Sequence, residues 1–233
     1  MTTKREESII DIVRSLEEMA DLVLIQLTHL EKLMSLDDKT EIKNIVSSIE
    51  ENEKKIDEYE VIINEKFIDS VVLFQPVASD IRKLIAVYRI SINLERVGDL
   101  VMNIIQSLQS IKETPEYKTM ADVILTMLLS GISMVEKSLL SFINNDDSYA
   151  GWTIKNDEIV DDMNRKLLIN SISKAKVTEK TREMLLSYVD LKNIITNIER
   201  IADHATNIAE ASIYSMQGTD IRHKGFAGPS KKS

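Results

Sequence analysis

NLERVGDLVMNI, residues 93–104, returns 104 positions later as NIERIADHATNI, residues 197–208, with Asn, Glu, Arg, Asp, Asn and Ile kept in place. The same offset carries Asn52, Glu53, Ile56 and Asp57 onto Asn156, Asp157, Val160 and Asp161. Two blocks in one register mark a duplication, so the chain reads as two copies of one structural unit.

Apolar residues on either side of these blocks fall at helical spacing. Ile9, Val13, Leu16, Ala20, Val23, Leu27, Leu30 and Met34 alternate steps of four and three, the seam of a long helix packed in a bundle. SLDD, residues 35–38, interrupts the seam, and Ile42, Ile45, Ile49, Ile56 and Ile63 resume it. Gln75-Pro76 marks the next break, because proline cannot continue a helix and drives its predecessor toward an extended conformation. A third helix is expected from about Ser79 to Ile111, with Leu84, Val87, Leu94, Val101, Ile105 and Leu108 inward and Pro115 closing it.

The second unit repeats the pattern. It has a helix from about Glu116 to Phe142, a polar stretch at 144–148, a helix from about Gly151 to Ser173, and one capped by Thr178 and ending near Gln217. The expected fold is all-α, two tandem three-helix bundles of six long antiparallel helices spanning residues 5–113 and 114–217. Residues 218–233, with the basic ending GFAGPSKKS, read as a disordered tail.

Composition agrees with long helices, since Gly (6), Pro (3) and aromatics (5%) are scarce. The absence of cysteine excludes disulfides and thiolate metal sites. No signal-peptide order opens the chain, and the longest nearly apolar run, Val123 to Ile132, falls short of the roughly 20 residues that span a bilayer. A cytoplasmic protein is the expectation. The net charge of −9 argues against a nucleic-acid partner and suits cations.

In each repeated block two acids stand four residues apart: Glu53 with Asp57, Glu95 with Asp99, Asp157 with Asp161, Glu199 with Asp203. That spacing puts like charges on one helix face, which costs a few tenths of a kcal/mol unless a cation offsets it. Residues 57 and 95, and likewise 53 and 99, lie equally far from Pro76, so a hairpin about that proline brings them level. Residues 161 with 199 and 157 with 203 centre in the same way on position 180.

Each half is thus expected to gather four carboxylates, an oxygen-rich site for iron, manganese, magnesium, calcium or zinc. Asn103 and Asn207, a turn further on, are candidate additional ligands. Arg96 and Arg200 are candidates to neutralise the acids or to hold an anion carried by the metal. Glu17 and Asp21 share the spacing without a counterpart and read as a solvated face. The bland alternative for the whole set is a soluble acidic surface on a structural adaptor.

His29, His204 and His223 complete no Glu-x-x-His di-iron motif, and the chain has no phosphate loop, Gly-x-Ser-x-Gly elbow or His-Glu-x-x-His signature. The expectation is therefore a protein that is not an enzyme. A multi-metal hydrolase or phosphatase is the alternative, because clustered carboxylates with bound metal activate water.

The two NLERVGD-like blocks, with QPVASDIRKLI at 75–85 between the matched acids, resemble the PhoU family of phosphate-signalling regulators, over about Glu6 to Met216. The resemblance implies two three-helix bundles whose Glu/Asp-x-x-x-Asp motifs, here the four pairs above, bind multinuclear iron or other metal such as zinc. It implies a negative regulator of phosphate-starvation signalling that contacts a phosphate ABC transporter and a membrane sensor histidine kinase. A homodimer acting peripherally at the inner membrane face is also implied. The copies differ at Leu100 against His204 and at Asp80 against Met184, which predicts unequal halves.

Overall fold

Thr3 starts the first helix with a reciprocal cap: its hydroxyl accepts from the Glu6 amide while the Glu6 carboxylate accepts from the Thr3 amide. In this computed structural model, which describes residues 3–36, 38–111, 115–174 and 181–222, all the regular structure is helical. The helices are α1 (Lys4–Leu33), α2 (Lys39–Phe74), α3 (Ser79–Ser110), α4 (Pro115–Asn144), α5 (Asp147–Lys174) and α6 (Thr181–Gln217). The six expected helices in two sets of three are the observed ones.

Several ends differ from the expectation for local reasons. Pro115 does not close α3, which stops at Ser110; it opens α4, where the missing N–H costs nothing because a first-turn amide has no partner within the helix. The polar stretch at 144–148 is not wholly a loop. α4 runs through Asn144, Asn145 takes a positive φ of 51°, and Asp146 accepts from the Ser148 amide to start α5 at Asp147. Asp38 caps α2 by accepting from the Thr40 and Glu41 amides. The Thr178 cap lies outside the described residues.

The tail read as disordered from residue 218 begins as an ordered strap. Gly218 adopts a φ of 70°, Ile221 packs against Ala150, Ala209 and Ile213, and Asp220 pairs with Arg222 and Arg89. The arginine pairs hold the Asp220 carboxyl down to about 2, the Arg222 hydrogen bonds being the chief cause. Residues 223–233, His223 included, lie outside the description.

The expectation that no segment reaches membrane-spanning length is also too strict. Met120–Asn144 of α4 is long and apolar enough by length and composition, yet half of its most apolar window is buried inside the bundle. Its inner face packs closely on α6: a Cβ on Gly131 would meet Ile201 Cγ2 at 3.7 Å and the Ile198 carbonyl at 3.8 Å. Trp152 of α5 is exposed, with Lys137 Nζ 4.1 Å from its ring centroid.

One continuous core crosses both halves, from Ile12, Leu16 and Val23 of α1 through Ile56, Leu94 and Val97 to Ile194, Ile198 and Ile201 of α6. Each such side chain contributes about 1.5–3 kcal/mol by leaving water. The two bundles meet along α3 and α6, which run antiparallel: Arg89 stacks over Tyr214 at 5.0 Å and, further up α3, Asn93 Oδ1 lies 2.9 Å from His204 Nδ1 further back along α6. The duplicated blocks therefore face each other across the middle of the molecule.

Candidate functional site

α2 turns back into α3 through Gln75, which takes left-handed φ and ψ of 46° and 59°, and Pro76. The hairpin brings Glu53 beside Gly98, where an added Cβ would stand 2.8 Å from Glu53 Oε2. The bare backbone of Gly98 makes room for the carboxylate. From α1, the fully buried Gln26 donates from Nε2 to Glu53 Oε2 at 2.7 Å and to the Ile49 carbonyl at 3.2 Å.

Glu53, Asp57, Glu95 and Asp99 form one electrostatic cluster, as the hairpin register predicts. Burial raises the Glu53 carboxyl to about 7, with repulsion from Asp57, Asp99 and Glu95 adding to it and the Gln26 bond opposing. Burial and Asp99 raise Asp57. Burial and Asp99 also raise Glu95, joined by Glu60 and Asp57, while Arg96 pulls the other way.

The second cluster repeats the arrangement. Burial first, then Asp203 and Asp161, lifts Asp157 to about 6; Glu210 adds to the shift, and the Thr206 hydroxyl opposes it without reaching hydrogen-bond geometry. Burial followed by Asp161, Asp203 and Asp157 raises Glu199. Burial and Asp161 raise Asp203 against the nearby Arg200.

All eight predicted acids thus converge in two groups of four. The side chains are nevertheless splayed: among the described residues, no three carboxylate or imidazole groups stand together closely enough to hold one ion as posed. Several of the acids turn instead to a local partner. Asp99 takes Arg96 Nη1 at 3.2 Å, Glu95 lies 3.4 Å from Arg96 Nε, and Glu199 accepts from Asn164 Nδ2. The donor chemistry fits a hard cation. It consists of clustered carboxylates, with Glu95 Oε2 and Asp157 Oδ1 buried and without a hydrogen-bond partner.

The auxiliary residues divide. Arg96 does neutralise Glu95 and Asp99, and Arg200 acts on Asp203. Asn103 and Asn207 are exposed; Asn207 lines a small pocket of about 200 Å³ with Arg89, Asn93, Glu210 and Asp220, a lining that includes none of the eight acids. Glu17 and Asp21 are exposed, as a solvated face requires.

Three participants escape the reading by acid spacing. Glu60 adds a fifth charge to the first cluster, and its register, seven residues after Glu53, is the signal that could have found it. Asn164 occupies the position of Glu60 in the second copy, 104 residues on. Gln26 gave no such signal, because it comes from α1, outside the matched blocks. His204, the unpaired difference between copies, is drawn down to about 4 by burial and by Arg200 and Arg96, so it is neutral when it bonds Asn93.

A tandem helical-bundle protein with a carboxylate cluster mirrored in each half is the class this geometry defines. Sequence comparison gives the family: the PhoU domain matches twice, over residues 16–108 and 124–212, and the chain belongs to the PhoU family. Among similar proteins, a "Phosphate-specific transport system accessory protein PhoU homolog" of Burkholderia sp. is 30% identical over 209 residues, covering 88% of this chain and 86% of its own. One from Aquifex aeolicus is 30% identical over 220 residues, covering 91% and 96%. In fold, the crystal structure of PhoU from Pseudomonas aeruginosa matches with a TM-score of 0.74 at 23% identity, over 91% of this chain and 99% of that one. The phosphate transport system regulatory protein PhoU from Streptococcus pneumoniae gives 0.72 at 21%, over 93% and 99%.

Proposed function

We propose that this protein is a metal-binding accessory regulator of a phosphate-specific transport system, holding one hard-cation site in each half. Glu53, Asp57, Glu95 and Asp99 form the first site, and Asp157, Asp161, Glu199 and Asp203 the second. The observation that carries the metal reading is the repeated convergence of four acids on one hairpin, with Glu53, Glu95, Asp157 and Glu199 raised first by burial and then by their acidic neighbours. Such a group is unfavourable by itself and becomes favourable when a cation supplies the missing positive charge. When bound, the ion would supply that charge and tie α2 to α3, and α5 to α6. Iron is the first candidate by resemblance, with zinc, manganese, magnesium and calcium compatible with the oxygen donors.

The names of the relatives support an association with a phosphate transporter. The sensor histidine kinase as second partner, negative control of phosphate-starvation signalling, and work at the inner membrane face rest on the family resemblance. The homodimer rests there too, and sedimentation of purified protein tests it. Relatives named accessory proteins support a binding role over the hydrolytic one.

Elemental analysis of protein purified without chelator tests the metal reading, alongside a variant carrying Glu95→Ala, Asp99→Ala, Glu199→Ala and Asp203→Ala. Bound metal in the first and its loss in the second is the expected result; equal content would remove the ligand assignment. Deleting the gene should derepress phosphate-starvation genes, and unchanged expression would remove the regulatory role.

A further inference from the structure

Both carboxylate clusters contain one buried amide, and in both the amide is left half used. Gln26 is fully buried and Asn164 is 8% exposed. Each donates its NH2 to a cluster carboxylate, Gln26 to Glu53 Oε2 and Asn164 to Glu199 Oε2, and each leaves its oxygen buried with no hydrogen-bond partner. Gln26 Oε1 lies 3.3 Å from the Cβ position of Gly98, the same point that Glu53 Oε2 approaches to 2.8 Å, so the free oxygen borders the acid cluster.

The orientation of Gln26 is forced. Its NH2 faces two acceptors, the Glu53 carboxylate and the Ile49 carbonyl at 3.2 Å, and turning the amide over would set oxygen against both. A buried acceptor without a donor is destabilising, and the neighbours here, being carboxylates, have no protons to offer once ionised. A cation is the species that satisfies an orphan amide oxygen and a group of carboxylates together, and amide oxygen is a normal ligand of hard cations.

The two amides are not one inherited feature. Gln26 comes from α1 and Asn164 from α5. By the duplication, the counterpart of Asn164 is Glu60. The same 104-residue offset puts Ser130, not an amide, at the position of Gln26. Each half has acquired its amide on a different helix, which points to a need common to the two sites.

Resting on the metal reading above, we infer that Gln26 in the first half and Asn164 in the second each supply an amide oxygen to the cation held by the neighbouring carboxylates. Each site then offers its amide together with four acids and a fifth acting on them, Glu60 in the first and Glu210 in the second.

Mn2+ titration by calorimetry, read beside the thermal shift that Mn2+ produces, tests this in single-site proteins. Glu199→Ala with Asp203→Ala leaves the first site, and Glu95→Ala with Asp99→Ala leaves the second. Adding Gln26→Met to the former, or Asn164→Leu to the latter, is expected to weaken Mn2+ binding about tenfold or more. The metal-free melting temperature should fall only modestly, since the bond donated to the carboxylate is lost while an unsatisfied buried oxygen is removed with it. Gln26→Asn draws the same amide back by one methylene and should also weaken Mn2+ binding, which decides the matter if Gln26→Met does not fold. Single-site parents that bind Mn2+, with Gln26→Met, Gln26→Asn and Asn164→Leu binding equally well, would overturn the amide assignment alone. Parents that bind no Mn2+ would retire the metal reading along with it.

Discussion

Gly98→Ala probes the packing on which the first cluster depends. The new Cβ would stand 2.8 Å from Glu53 Oε2 and 3.3 Å from Gln26 Oε1. Something must shift, and the freest part is the end of the Glu53 side chain, so the backbone stays and Glu53 leaves Gln26. Alanine gains about 1 kcal/mol in helix propensity. Against that stands the bond from Gln26, about 1.5–3 kcal/mol for a charged acceptor, reduced because the carboxylate is partly exposed and its charge screened. Loss of a snug fit adds its own penalty of about 1 kcal/mol. The sum is a net destabilisation of about 1 kcal/mol.

The second half shows the compensated form, since Ala202 stands at the position of Gly98 and the acid opposite is Asp157, one methylene shorter than Glu53. Gly98→Ala in a Glu53→Asp background should therefore be neutral or stabilising by up to about 1 kcal/mol, giving a coupling of about 1–2 kcal/mol between the two positions. Urea unfolding of the four proteins, followed by circular dichroism in EDTA at pH 8, measures it. Effects that add to within about 0.5 kcal/mol would refute the reasoning.

Glu53 titrates at about 7 when folded against a usual 4.5, so its favourable contribution is present below pH 4.5 and lost as the pH rises through 7. Metal-free Glu53→Gln should therefore exceed wild type by about 1–2 kcal/mol at pH 8, after discounting for screening, and match it near pH 4.5; a gap independent of pH contradicts this. His204 behaves oppositely, its folded value of about 4 lying below the usual 6.5, so stability falls as the pH drops from 6.5 through 4. His204→Leu, the residue found at position 100, should cost about 1 kcal/mol at pH 7.5 by stranding Asn93 Oδ1, yet flatten the acid limb of a melting-temperature profile; parallel profiles would count against it. Ile201→Ala should cost about 2–5 kcal/mol and lower the midpoint of a single transition for both halves, because the core is continuous; two separate transitions would break that link.

Helix number, the duplication and the membership of both acid groups were legible in the residues, because periodicity and spacing act locally. Four-three seams identify buried faces, and equal distances from a turn fix the level of residues on neighbouring helices whatever the packing details. The helix ends were less legible. Pro115 serves equally as a stop and as a first residue, and only the end of α3 at Ser110 distinguishes them. The strap at 218–222 was missed because its anchors, Arg89 and the Ala150–Ala209–Ile213 cluster, are remote in sequence.

What the sequence determined by itself is therefore two helical units, each carrying four acids on a hairpin. Tertiary structure alone decided that the units share one core across α3 and α6 and that Gln26 and Asn164 enter the clusters. The physical reason is distance along the chain. Gln26 reaches Glu53 only because α1 lies against the α2–α3 hairpin, and no spacing rule relates residues on helices whose relative rotation is set by packing.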